Sequence, residues 1–240
     1  MDKQLQPTLN IESRPIDELG DLDTAMDDLM AEAEMASAQT QRFVLCFDAT
    51  SSMGHVWSRA TDALKQSVDY IKENAACNIS IKIIAYRDHE YDHNIVDESR
   101  WSDDTDYLKN FIANVRCSGG GDYPESIGHG LALALGDQAT PSQIILIGDA
   151  PGKPGSMGFA EATECGQQSC PIYGLYTDQD SRLVSHFEKL AKLSGGKAML
   201  LSPHGDLSDI FKLIISKNKA LQITYQATSI EGKRMEKELA

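Results

Sequence analysis

Short apolar runs alternate with amphipathic segments along most of this 240-residue chain. Residues 42–48, RFVLCFD, are apolar between their charged ends, which is typical of a strand buried on both faces. The segment that follows places Met53, Val56, Ala60 and Leu64 on one face at helical spacing. Strands that alternate with helices need right-handed crossovers between parallel neighbours. The pattern therefore predicts an α/β fold: a doubly wound, mainly parallel sheet with helices on both faces.

The same alternation continues as far as residue 216. It predicts further strands at 78–88, 142–149, 170–177 and 197–202, a short antiparallel edge strand at 93–97, and further helices at 104–115, 124–136, 180–194 and 206–216. These elements fit one well-buried domain over residues 41–218. A C-terminal tail (219–240) follows, in which LQITY alternates like a strand whereas EGKRMEKELA reads as a solvated, helical end.

The first forty residues differ from the rest in charge. They carry ten acids against two bases, which is more than half of the net charge of -14. Apolar residues recur among them at helical spacing after Pro15, so an acidic N-terminal extension (1–40) with a helix from about 15 to 37 is predicted. The apolar stripe of that helix suits docking on its own domain and binding to a basic partner groove equally well.

The charge and the absence of targeting signals exclude several classes of partner. An acidic chain is a poor ligand for nucleic acid or an anionic membrane, because affinity for phosphates comes largely from Lys and Arg. The chain shows neither the apolar core of a signal peptide nor an apolar run that could cross a bilayer. Five cysteines, an odd number, suit reduced thiols. We therefore expect a cytoplasmic protein that binds neither nucleic acid nor membrane.

Acidic and hydroxyl residues gather at three predicted loops. Asp48, Thr50 and Ser52 follow the first strand, Asp149 ends the strand at 142–149, and Asp122 lies on a glycine-rich loop. The crevice of an open parallel sheet lies at the carboxyl ends of its strands. Carboxylates that converge there without a counter-charge repel each other, so a divalent cation is the simplest way to stabilise them. Oxygen-only ligands suit Mg²⁺, with Ca²⁺ and Mn²⁺ as alternatives.

Five further residues are expected on the same rim, directly or behind the ligands. They are Ser118 and Glu125 on the glycine-rich loop, and Arg87, Asp88 and His89 after the second strand. Arg87 suits a pair with an acid such as Asp88 or Asp122, which would brace the loops. His89 and His93, with the acids beside them, suit either a second metal site or a solvated polar loop.

The stretch FVLCFDATSSM (43–53) resembles the first loop of the metal-ion-dependent adhesion site (MIDAS) of von Willebrand factor A (vWA) domains. That loop usually reads D-x-S-x-S, and here Thr50 stands in the first hydroxyl position. The resemblance extends through AYRDHEYD (85–92), GGGDYPES (119–126) and IILIGDAPG (144–152). It implies the Rossmann-like fold of that family, with Asp48, Thr50 and Ser52 as metal ligands and Asp149 acting directly or through water.

The second loop departs from the best-known adhesion domains, which place a threonine where Asp122 falls. It resembles a branch of the family that reads G-G-G-D-x-P-E, which implies that Asp122 is a further ligand. Three acids near a divalent cation leave about one negative charge uncompensated. We therefore expect the metal to organise the loops, or to recruit a neutral or basic partner, rather than to capture an acidic side chain.

The resemblance implies a metal-dependent protein–protein interaction module with no enzymatic activity. Stand-alone intracellular vWA domains of microbes often work beside AAA+ ATPases or with kinases and phosphatases, so an assembly or regulatory role toward such a protein is expected. The alternative is a metal-dependent hydrolase of phosphoesters or similar substrates on the same rim, for which Arg87 and His89 are the candidate clamp and base.

Two enzyme motifs can be tested directly against the sequence. GDAPGK (148–153) has three residues rather than four between its glycines, and its lysine precedes Pro154 instead of Ser or Thr, so it is not a phosphate loop. No G-x-S-x-G elbow for a serine nucleophile occurs in the chain. The sequence thus favours binding over catalysis.

Overall fold

The computed structural model describes residues 40–74, 78–88, 96–120, 124–136 and 140–201. The predicted helices at 15–37 and 206–216 and the tail at 219–240 lie outside the described residues. Asp122 and His89, which were both predicted for the site, also lie outside the described residues.

Six strands form one sheet. They are β1 (Gln41–Asp48), β2 (Ile79–Tyr86), β3 (Val96–Glu98), β4 (Gln143–Gly148), β5 (Ile172–Tyr176) and β6 (Lys197–Leu200). Their order across the sheet is β3-β2-β1-β4-β5-β6. Each of these strands pairs in parallel with its neighbour except β3, which is antiparallel to β2. The prediction of a mainly parallel sheet with one short antiparallel edge strand is confirmed.

Helices cover both faces of the sheet. They are α1 (Trp57–Asn74), α2 (Thr105–Asn114), α3 (Ile127–Leu135), α4 (Phe159–Gln167) and α5 (Ser181–Ser194), with a 3-10 helix at Ser51–His55. Alternate residues of β1 face opposite sides: Leu45 joins the apolar cluster under α1 and α2, and Val44 joins the one under α3, α4 and α5. The continuous apolar run of β1 is therefore explained by burial on both faces, as predicted.

Helix α4 is absent from the sequence prediction. It has nine residues, of which only Ala162 and Cys165 are buried, so its apolar periodicity is too short to stand out. It begins after Gly158, whose φ of 78° favours glycine. The loop between β4 and this helix lies close to the predicted site.

The carboxyl ends of β1 and β4 meet where the strand order reverses. From β1 the chain passes to β2 on one side, and later returns to β4 on the other side. Such a reversal opens a crevice outside the strand ends, which is where open α/β sheets bind ligands. Asp48 ends β1 and Asp149 follows β4, so the fold places both acids at this crevice.

No helix within the described ranges is long and apolar enough to cross a lipid bilayer.

Candidate metal centre

Asp48 lies at the bottom of the crevice and is fully buried. Its Oδ1 accepts hydrogen bonds from the Thr50 amide at 2.8 Å and from Thr50 Oγ1 at 2.7 Å. Its Oδ2 is also buried, and no described residue gives it a hydrogen-bond partner. Because a buried polar atom without a partner is costly, such an atom marks a place where a ligand or an ion belongs.

A chain of hydroxyl groups joins Asp48 to Asp149. Thr50 Oγ1 lies 2.9 Å from Ser52 Oγ, and Ser52 Oγ donates to Asp149 Oδ1 at 3.2 Å. Thr50 is buried whereas Ser52 is exposed, so the chain runs from the interior to the surface. Four of the five residues predicted as metal ligands thus lie together.

Glu125 is a third carboxylate beside this chain, and it lies deeper than a rim position implies. It is only 2% exposed, and its Oε2 has no hydrogen-bond partner among the described residues. Its Oε1 and the Thr50 side chain lie on the same side of Gly120, at 3.8 Å and 3.3 Å from where a Cβ of that glycine would be. The backbone at Gly120 packs closely on Thr50, so a larger residue there would require Thr50 to shift. The glycine at this point of the loop, with φ of 84°, lets Glu125 approach.

Burial and neighbouring acids disfavour the ionisation of Asp48 and Glu125. Burial, and then repulsion from Asp149, raises the pKa of Asp48 to about 8, although hydrogen bonds from Thr50 act in the other direction. Burial, and then repulsion from Asp48, Asp88 and Asp149, raises the pKa of Glu125 to about 9. Groups that resist ionisation for these reasons would be stabilised by a nearby cation.

The donor chemistry fits a hard divalent cation. Among the described residues no three His, Cys, Asp or Glu side chains form a group that could hold a metal ion. The described donors at the crevice are instead two carboxylates, Asp48 and Asp149, and two hydroxyls, Thr50 and Ser52. Oxygen ligands of this kind suit Mg²⁺, Mn²⁺ or Ca²⁺ rather than a metal that prefers sulfur or nitrogen.

The residues after β2 brace the crevice. Arg87 is buried, pairs with Asp97 of β3 at 2.8 Å, and donates to the Arg116 carbonyl oxygen at 2.7 Å. It therefore connects the end of β2 to β3 and to the segment after α2, and its acidic partner is Asp97 rather than the Asp88 or Asp122 named from the sequence. Ser118 belongs to the same framework, because its amide donates to the Ala49 carbonyl oxygen at 2.9 Å.

Lys153 is a site-forming residue that sequence reasoning missed. Its ammonium group pairs with the fully buried carboxylate of Asp88, and its amide donates to the Glu125 carbonyl oxygen at 2.8 Å. In the sequence, Lys153 stands out only as the lysine of GDAPGK, which is not a phosphate loop, and this pattern indicates neither contact. It joins the β4–α4 loop both to the end of β2 and to the loop that carries Glu125.

The metal-free protein is expected to lose stability as the pH rises from about 5 to about 9. Asp48 and Glu125 have pKa values in the folded state above their ordinary values of 3.8 and 4.5. The folded state therefore binds these protons more tightly, and the resulting stability, complete below the ordinary pKa, disappears as the pH passes the raised pKa. Melting temperatures in EDTA should fall across this range, and Mg²⁺ should raise the melting temperature more at pH 8 than at pH 6. An Mg²⁺ effect that does not change with pH would contradict the charge repulsion described above.

The family model described as von Willebrand factor A domain matches residues 42–202. The chain belongs to the von Willebrand factor A domain family. Its fold is that of the family, and the resemblance seen in the sequence is confirmed at this level. The narrower branch with a GGGDxPE second loop stays a prediction.

Solved structures of other vWA proteins share this fold. Proximal thread matrix protein 1 from the mussel byssus, with a zinc-occupied MIDAS motif, is 16% identical with a TM-score of 0.58, over 75% of this chain and 48% of that one. A von Willebrand factor type A protein from Catenulispora acidiphila is 14% identical with a TM-score of 0.57, over 78% and 43%. The SpRpn10 VWA domain is 12% identical with a TM-score of 0.54, over 72% and 94%. At these identities the likeness shows the fold alone.

A curated relative shares a short region of higher identity. This is an ariadne-like RING finger protein of Acanthamoeba polyphaga mimivirus, 44% identical over 80 residues. The match covers 33% of this chain and 8% of the relative. The shared region is therefore a small part of that protein.

Proposed function

We propose that this vWA domain is a metal-dependent protein–protein interaction module, and not an enzyme. The observation that carries the proposal is the chain of closely spaced oxygen atoms from Asp48 through Thr50 and Ser52 to Asp149. It starts at a buried carboxylate with one oxygen unpartnered and ends at the surface of the crevice. A partner reaching into the crevice would meet the exposed end of this chain.

The residues that line the crevice would have different roles in holding a cation. Asp48, Thr50, Ser52 and Asp149 would be its ligands, with Asp122 as the fifth by the family resemblance. The cation, Mg²⁺ or else Ca²⁺ or Mn²⁺, would supply a centre that accepts an oxygen atom from a partner. Buried Asp48 and Thr50 fix the inner ligands through two short hydrogen bonds. Exposed Ser52 keeps the outer side open to solvent and to a partner.

The charge of the site favours a neutral or basic partner group. Asp48 and Asp149 as ligands would bring two negative charges against the two positive charges of the cation, and Asp122 would add a third. Glu125, whose pKa is raised to about 9, would stay mostly protonated near neutral pH. Two nearby bases are already paired, Arg87 with Asp97 and Lys153 with Asp88. A carboxylate from a partner would therefore meet a site that is already negative, whereas a carbonyl, hydroxyl or basic group would not be repelled.

The kind of partner is proposed by analogy with the family, because fold alone does not set function. An AAA+ ATPase or a kinase–phosphatase system is the class we propose, with this domain acting in assembly or regulation. A cytoplasmic location goes with it. The free thiols of Cys46, Cys117, Cys165 and Cys170 support that location, since disulfides are rare in reducing compartments.

A pull-down from the native cell tests the proposal. The immobilised protein should retain a partner in Mg²⁺ and release it in EDTA, and the Asp48→Asn variant should retain none in either buffer. Asp62→Asn, on the exposed face of α1, is the matched control and should behave like the wild type.

Three results would count against the proposal. Retention that survives EDTA would remove the metal from the mechanism. Loss of binding when a single Asp or Glu of the partner is replaced would contradict the charge preference. Mg²⁺-dependent turnover of phosphoester substrates that Asp48→Asn abolishes would replace the module with the hydrolase.

A further inference from the structure

The ring of His186 serves two backbone groups that need opposite states of the same nitrogen. Its Nε2 lies 3.2 Å from the Gly152 amide nitrogen and 2.9 Å from the Met157 carbonyl oxygen. An imidazole nitrogen accepts when it has no proton and donates when it has one. If Nε2 accepts from Gly152, the Met157 oxygen faces a lone pair. If Nε2 donates to Met157, the Gly152 amide loses its acceptor.

The ring cannot avoid this choice by moving away. His186 is 6% exposed, and its ring centre lies 4.7 Å from that of Phe159. Gly152 is equally confined, because a Cβ on it would lie 2.7 Å from Met157 Cα and 2.9 Å from His186 Nε2. The ring therefore stays in place, and the two states of Nε2 differ only in which of the two hydrogen bonds is made.

One of the two backbone groups belongs to the framework of the metal centre. Gly152 and Glu125 form a parallel β-bridge, in which the Glu125 amide donates to the Pro151 carbonyl oxygen at 2.9 Å and its own carbonyl accepts from Lys153 at 2.8 Å. The Glu125 carboxyl group in turn lies near Thr50, since a Cβ on Gly120 would be 3.8 Å from Glu125 Oε1 and 3.3 Å from Thr50 Cβ. Backbone hydrogen bonds thus connect helix α5 to Glu125 through the segment around Gly152, and Glu125 in turn packs beside a proposed metal ligand.

The other backbone group belongs to the outer part of the same loop. Met157 is 39% exposed and is the large apolar residue that the described surface leaves open. Its carbonyl oxygen points to the ring while its side chain faces solvent. Whether Nε2 carries a proton therefore decides which part of the loop it bonds to: the inner part at Gly152 or the outer part at Met157.

We propose that His186 is a positioning residue for the metal centre. When Nε2 accepts from Gly152, it holds the strand pairing that places Glu125 against Thr50; when Nε2 donates to Met157, that pairing loses its support. This inference rests on the proposed metal binding. Since coupling between two sites is reciprocal, a cation in the crevice and the state of Nε2 must each bias the other.

Two substitutions separate positioning from packing. His186→Gln supplies an amide with both a donor and an acceptor, so it can serve Gly152 and Met157 at once. His186→Phe keeps an aromatic ring against Phe159 and makes neither hydrogen bond. Glu188→Gln, exposed on the same helix, is the control. Calorimetric titration with Mg²⁺ gives the affinity of each protein, and NMR gives the ring nitrogen shifts of His186 in the wild type during the same titration.

We expect His186→Phe to weaken Mg²⁺ binding by roughly tenfold, the size of effect seen when a residue behind the ligands is lost. His186→Gln and Glu188→Gln should bind as the wild type does, and the His186 ring shifts should move with Mg²⁺. Unchanged affinity in His186→Phe, or ring shifts that Mg²⁺ leaves in place, would overturn the inference alone. A wild type that binds no divalent cation would overturn the proposed function together with it. The shifts are measured on the wild type, so the test stands even if His186→Phe fails to fold.

Discussion

Asp48→Asn is expected to stabilise the metal-free protein at pH 8 and to abolish its stabilisation by Mg²⁺. Asparagine keeps an oxygen that can accept both hydrogen bonds from Thr50. It removes the negative charge that burial and Asp149 disfavour. The same change removes a proposed ligand, so affinity for Mg²⁺ should fall by about 100-fold or more. Melting curves at pH 8, in EDTA and in Mg²⁺, measure both effects, and for a chain of this size each kcal/mol corresponds to about 2–4 °C.

The two effects have opposite signs, which makes this substitution informative. If Asp48 were merely part of the core, replacing it would lower the melting temperature of the protein in both buffers. At about pH 5 the stabilisation in EDTA should be smaller, because the carboxyl group of wild-type Asp48 is then already protonated. A variant that is less stable than the wild type in EDTA at pH 8, or that still gains stability from Mg²⁺, would refute the assignment of Asp48 as a metal ligand.

Lys153→Met is expected to lower the free energy of unfolding by about 3–5 kcal/mol. Asp88 is fully buried and pairs with the Lys153 ammonium group, which is itself mostly buried. Removing the lysine leaves the carboxylate in a low-dielectric position without that partner, and this costs more than the pair contributes. Urea denaturation at neutral pH measures the loss.

Two further variants make the cause of that loss visible. Lys153→Met combined with Asp88→Asn removes both charges and should recover a large part of the lost stability. Lys72→Met is the control, because Lys72 pairs with Asp103 at 3.5 Å on the surface, and an exposed pair contributes about 1 kcal/mol or less. Equal losses for Lys153→Met and Lys72→Met would contradict the special weight given to the buried pair.

Most of the fold is already present in the spacing of apolar residues. The run at 42–48 predicts a strand buried on both faces, and β1 covers that range with apolar clusters on either side. The antiparallel edge strand was predicted at 93–97, and β3 lies at Val96–Glu98. Helix α4 is not predicted by the sequence, because only two of its residues are buried and two positions are too few to show a helical period.

The inner ligands of the site can also be found in sequence. Asp48, Thr50 and Ser52 lie within five residues, and their hydrogen bonds are local consequences of that spacing. Asp149 is predictable one step further, because parallel strands on either side of a switch point bring their carboxyl ends together. The structure places these four residues together, and whether they bind a metal stays a prediction.

The sequence by itself thus determined the layers of the fold and the residues that line the crevice, because both depend on short-range periodicity and on where strands end. Only the tertiary structure decided what surrounds them: the buried position of Glu125, the pairing of Lys153 with Asp88, and the contact of His186 with Gly152. These contacts join residues 34 to 65 positions apart. No local pattern encodes such pairs, because they form only after the sheet has brought separate loops to one edge, where burial makes an unpaired charge or donor costly.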